Sequence, residues 1–186
     1  MKKWTMTIVG VAALSAIMTA PASAQFGGRL SLEPFIGYGF FGELPESSGE
    51  LGAALSYGGR VGYQIGTQWG AFGTFQRSKP EVTATGVGLP GGDINVDHWS
   101  AGIEFSYVPR GGAERMLPVL LEAGLGQARY QGGQSDLAVN LGIASAIEMT
   151  PNIRIRYGAN DYISNFGEDL GIVNQIFVRV GVEVAL

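Results

Sequence analysis

No cysteine occurs in the 186 residues, which excludes a disulfide framework, thiolate chemistry and a lipid-anchored N-terminal cysteine. Lysine is nearly as scarce, since Lys79 is the only one beyond residue 25. A soluble surface normally mixes both signs of charge and uses lysine freely. Beyond residue 25 the chain also lacks any 3.6-residue apolar period and any apolar run long enough for a spanning helix. Neither a helix bundle nor a helical membrane protein is expected. What the chain has in quantity is glycine, 30 residues of it.

The one apolar run lies at the start, in "MKKWTMTIVGVAALSAIMTAPASAQ". Lys2 and Lys3 form a basic head, Ile8 to Met18 an apolar stretch, and Ala22-Ser23-Ala24 a small-residue cleavage box. This is the pattern of a cleavable secretory signal peptide over residues 1–24, leaving one domain over 25–186. An uncleaved anchor is the alternative, but the stretch is shorter than the ~20 apolar residues a spanning helix needs. Without Lys2 and Lys3 the formal charge of −4 becomes −6. A chain so acidic, with no basic patch, is not expected to bind nucleic acid.

Strict two-residue alternation recurs eight times. The final stretch, "IFVRVGVEVAL", sets Ile176, Val178, Val180, Val182, Val184 and Leu186 against Phe177, Arg179, Gly181, Glu183 and Ala185. The earlier segments start near Leu30, Ala54, Trp69, His98, Val119, Ala138 and Ile153. Each has an aliphatic or aromatic face and a second face of small and charged residues; only "WGAFGTFQRS" leaves the choice of face open. Such alternation means strands with two unlike faces. Connections are short at Gly66–Gln68 and Thr150–Asn152 and somewhat longer at Pro109–Pro118. They are long after the first, third and seventh segments and short again at "QGGQSD".

The second faces carry glycine and alanine with Glu33, Arg60, Glu104, Glu122, Glu148, Arg154, Arg156, Arg179 and Glu183. Turned to water, that face would be oddly rich in glycine, which weakens strands. Inside an eight-stranded barrel, whose bore side chains just fill, small residues make room for long charged ones that pair with each other. The apolar faces must then look out to lipid. Tyr38, Phe40, Tyr57 and Trp99 near the long loops, and Tyr63, Trp69 and Tyr107 near the short turns, suit two interfacial girdles. A soluble lipocalin-like barrel with an apolar interior is the alternative.

The leader, the eight alternating segments, the loop asymmetry and the closing strand resemble the small OmpA/OmpX-type outer-membrane β-barrel proteins. The resemblance covers Leu30 to Leu186. It implies an all-β fold, an eight-stranded antiparallel transmembrane up-and-down β-barrel preceded by the signal peptide. It also implies periplasmic termini, long loops outside, insertion by the barrel-assembly machinery, and contact with outer-membrane lipid and lipopolysaccharide. One departure is the last residue, Leu186, where such proteins usually end on an aromatic. No peptidoglycan-binding domain is expected after the last strand.

No motif calls for a cofactor or metal. "GVGLPG" (Gly86 to Gly91) matches a dinucleotide fingerprint in letters only, lying in a loop with no helix after it. His98 and Ser100 share a strand face, and "HWS" is similar to the His-x-Ser of outer-membrane lipid A deacylases, whose serine is followed by asparagine where this chain has Ala101. Glu104 stands about 13 Å up the strand from Ser100 at ~3.3 Å per residue, too far for a direct relay. The acids Glu43, Glu46, Glu50, Glu168 and Asp169 are read as solvated loop charge, with divalent-cation binding beside lipopolysaccharide as the alternative. The expected role is structural or surface-interactive, with a plugged lumen; a narrow channel and a lipid A acyl hydrolase are the rivals.

Overall fold

The computed structural model describes residues 28–41, 51–82, 92–109, 117–131, 135–165 and 172–186. The leader, the GVGLPG segment and the loop acids Glu43, Glu46, Glu50, Glu168 and Asp169 lie outside them.

Ten strands follow in chain order: β1 Leu30–Phe41, β2 Ala54–Gln64, β3 Trp69–Ser78, β4 Glu81–Val82, β5 Gly92–Asp93, β6 Val96–Tyr107, β7 Val119–Tyr130, β8 Ser135–Thr150, β9 Ile153–Asn165 and β10 Ile172–Ala185. Eight of them close a barrel in the order β1-β10-β9-β8-β7-β6-β3-β2, every pair antiparallel, while β4 and β5 form a small ribbon inside the β3–β6 connection. A row of laterally paired residues starts at Leu30 and runs through Tyr63, Ala71, Ile103, Ala123, Leu141, Asp161 and Ile176. It returns to β1 at Phe40, ten residues further along. That stagger over eight strands tilts them by about 40°. A ten-residue strand such as β3, rising ~3.3 Å per residue at that tilt, covers about 25 Å of axis, the height of a hydrocarbon core.

The faces fall as the alternation requires. Ile36, Leu55, Ile103, Leu125, Ile143 and Val178 are each more than half exposed, while Glu33, Arg60, Glu122, Arg156, Arg179 and Glu183 are each at most 4% exposed. A belt of exposed aliphatics this continuous suits lipid and not water. It is also the reverse of a lipocalin-like soluble barrel. In β3, Phe72, Thr74 and Gln76 point inward, which fixes the segment that alternation left open. Seven ring-bearing residues, Tyr38, Phe40, Tyr57, Trp99, Tyr63, Trp69 and Tyr107, stand on the outside at 44–50% exposure. Two of them join ring pairs on the same two strands, Phe75 with Trp99 toward the loop rim (centroids 4.2 Å apart) and Trp69 with Phe105 toward the rim of the chain termini (4.9 Å).

Lumen-facing glycines keep the bore open for long side chains. A Cβ on Gly142 would stand 2.4 Å from Asn160 Nδ2 and 3.0 Å from Glu122 Oε2, so any other residue there would push into the groups described next.

Candidate functional site

The lumen is filled in layers. At mid-height Arg156 of β9 is the hub: Nη2 donates to Glu104 Oε2 and Glu122 Oε1, and the guanidinium lies 3.5 Å from Glu33 and 3.8 Å from Glu183. Arg60 donates to Glu104 at 2.6 Å, and Arg179 donates to both oxygens of Glu122 at 3.0 Å. Asn160 adds a bond to Glu122 at 2.8 Å. Arg154 holds Glu183 through two bonds, 2.6 and 2.8 Å. Arg60 also lies over the Phe72 ring and Arg179 over Phe35, at 4.9 and 5.1 Å. These eight charges come from β1, β2, β6, β7, β9 and β10, so every strand pairing around the barrel bears on their alignment.

Eight of the nine charged residues expected in the lumen are thus brought together, and Glu148 is not. It faces Arg154 across the β8–β9 ladder, as Glu183 does across β9–β10, but the guanidinium turns to Glu183. The ladder shifts register between Glu148 and Thr150, and Glu148 is left exposed at the rim of the termini. The network that remains has four glutamates and four arginines. At that rim Glu148 lines a vestibule of about 90 Å³ together with Gln64, Gln68, Arg154 and Glu183.

Above the network lies a polar and aromatic layer. His98 Nε2 donates to Gln175 Oε1 at 2.7 Å, Gln175 in turn donates to the Tyr130 hydroxyl, and the imidazole packs against the Tyr162 and Phe177 rings. Ser100 Oγ accepts from Asn140 Nδ2 at 3.1 Å and lies 3.3 Å from the Tyr162 hydroxyl. His98 and Ser100 therefore share a face but not a hydrogen bond: each is held by other partners, and both are buried in the lumen, away from lipid. A base must reach its nucleophile to act on it, and this pair is not so arranged. Among the described residues no group of three or more His, Asp or Glu side chains is set to hold a metal ion.

The third layer was not foreseen. At the loop rim Leu51, Val82, Ile94, Val96, Ala128, Tyr130 and Val173 form a buried apolar cluster, joined by Phe41. The β4–β5 ribbon and the bridge between Leu51 and Val82 fold this cap over the bore, with Gly52 N–H donating to Glu81 O and Ile94 N–H to Pro80 O. Leu51, Val82 and Ile94 lie outside the alternating segments, so period-two reading passes over them.

No protein-family model matches the chain, and no curated protein sequence does. Among solved structures the barrel is similar to Neisserial surface protein A, at 16% identity and a TM-score of 0.59, over 83% of this chain and 96% of that one. It is also similar to the outer membrane protein AlkL determined in lipid bilayers, at 13% identity and a TM-score of 0.53, over 90% and 95% of the two chains. At those identities the likeness speaks for the fold, and the apolar outer belt speaks for the bilayer: the chain is a closed eight-stranded antiparallel transmembrane β-barrel, similar in fold to these two proteins.

Proposed function

We propose that the protein is an integral barrel of a bacterial outer membrane with a structural or surface-interaction role, whose lumen is plugged and whose loop rim faces outside. The observation that carries the reading is the stacking of two different fillings in one narrow bore. A lumen meant for water should offer a continuous polar path; here the charged network is paired across the bore, and the apolar cap at the loop rim stands in series with it. A dry apolar constriction and a desolvated ion-pair cluster each oppose the passage of a hydrated ion. The vestibule then leads from the other side to a dead end. The same buried network supports a role without catalysis, since its groups are engaged with one another.

The test is single-channel conductance of residues 25–186 refolded into a planar bilayer, after a heat-dependent gel shift has shown the barrel closed. No discrete steps are expected. Discrete steps that change when Glu104 or Arg156 is neutralised would replace this reading with that of a narrow channel.

A further inference from the structure

The lumen absorbs four of the arginines, but the outer wall carries basic groups of its own, and their placement is uneven. Outward-facing Arg77 of β3, Asp97 of β6 and Arg129 of β7 are lateral neighbours in one row, and Lys79 stands two residues beyond Arg77. Arg77 gives both ends of its fork to Asp97, at 2.6 and 2.7 Å, and also lies over the Phe75 ring at 5.8 Å. Arg129 and Lys79 are exposed, and neither has an ion pair among the described residues. Two residues below Arg77 and Asp97, on the same face, lie Phe75 and Trp99 with their rings 4.2 Å apart. Elsewhere at this rim the described outward positions include Tyr38, Phe40, Leu55, Tyr57, Leu137 and Ile172, and no basic residue stands among the described residues there.

We propose that Arg77, Lys79 and Arg129, above the Phe75–Trp99 ring pair, form a binding site for the phosphate head group of a lipid in the leaflet they border. Charge complementarity on the barrel wall identifies the occupant. There Arg77, Lys79 and Arg129 face the one wall carboxylate of Asp97, while the exposed acids Glu81 and Asp93 belong to the β4–β5 ribbon beyond Lys79; the expected mature chain carries −6, and its one lysine past residue 25 is here. Guanidinium forks match phosphate oxygens. The ring pair, its planes inclined at 42°, offers an apolar ledge at the depth where acyl chains begin. Asp97 holds Arg77 extended along the wall and leaves Arg129 and Lys79 to face the ligand. The site rests on the reading of the barrel as membrane-spanning, but not on whether its lumen conducts or on which rim faces outside.

The test uses residues 25–186 with Trp69→Phe, leaving Trp99 as the reporter, refolded in phosphatidylcholine vesicles of symmetric leaflets. Quenching of Trp99 by bromine-labelled phosphatidic acid is compared with quenching by bromine-labelled phosphatidylcholine. Phosphatidic acid is expected to associate about fivefold more tightly at Trp99, the effect of one basic side chain at a membrane surface. The K79Q/R129Q double variant, whose folding the gel shift checks, should abolish the preference, and D97N, which frees Arg77, should raise it. Equal quenching by the two lipids, or a preference that survives K79Q/R129Q, would overturn the site. Because the vesicles are symmetric, a barrel inserted in either direction reports the same result, so failure here is separable from failure of the proposed orientation.

Discussion

The middle of the lumen and its loop rim solve one problem, filling a narrow bore, by opposite chemistry. The middle is built wholly from strand residues: Arg156, Arg60, Arg179 and their glutamates alternate with glycine on the inward face, and lateral pairing brings them within reach. The rim is filled by Leu51, Val82 and Ile94 from connections, meeting Val96, Tyr130 and Val173 at strand ends. A charged filling depends on every partner being present, because removing one leaves others buried without compensation. An apolar filling degrades gradually, since each side chain contributes its own buried area. The network should therefore behave as one unit coupled to barrel closure, and the cap as a set of separable contacts.

The sharpest way to break this contrast is at the hub. Arg156→Leu leaves Glu33, Glu104, Glu122 and Glu183 around one apolar side chain. Denaturant unfolding in detergent micelles should show a loss of about 3–5 kcal/mol, as for breaking any buried ion pair. A loss below about 1 kcal/mol would mean that the network adds little to closure. Next comes the cap: Ile94→Ala opens a cavity beside Leu51 and Val96 and should cost about 2–4 kcal/mol of local stability. Hydrogen exchange should locate the loss at the amides of Gly52 and Ile94, with the mid-lumen strands still protected. Exchange that rises along β9 as well would show cap and network to be one cooperative unit. The smallest effect is expected outside, where Arg77–Asp97 is also a fork but Arg77 is 40% exposed. Asp97→Asn should lower the free energy of unfolding by under about 1 kcal/mol, so that burial, and not pairing geometry, separates it from Arg156.

Much of the barrel was legible because its period is short and strict. Along β10, aliphatic Ile176 to Val184 and their partners Phe177 to Glu183 take opposite faces at every step. The ambiguous segment was β3, where Phe72 and Phe75 put rings on both faces; only pairing with β2 and β6 shows that Phe72 faces the lumen under Arg60. Eight of the nine expected lumen charges meet there; Glu148 shares their inward parity opposite Arg154, but it stands at the end of β8, where the bore opens into the vestibule, so it stays exposed and outside the network. Nothing local announces that His98 meets Gln175, 77 positions away, or that Leu51 bridges Val82. The Arg77–Asp97 row was hidden for the same reason, since Arg77 lies on the segment whose faces alternation leaves open and its adjacency to Asp97 depends on which strands pair.

What the amino-acid order determined by itself is sidedness in every barrel strand but β3: a two-residue period with two unlike faces assigns residues to lipid or lumen whatever their neighbours, because successive side chains of a strand must point opposite ways. Partnership was decided only by the tertiary structure. The stagger of ten residues around eight strands sets which glutamate stands across from which arginine, and the fold-back of β4 and β5 sets which apolar groups close the rim. Those contacts join residues far apart in the chain, and their energies exist only once the ring is closed.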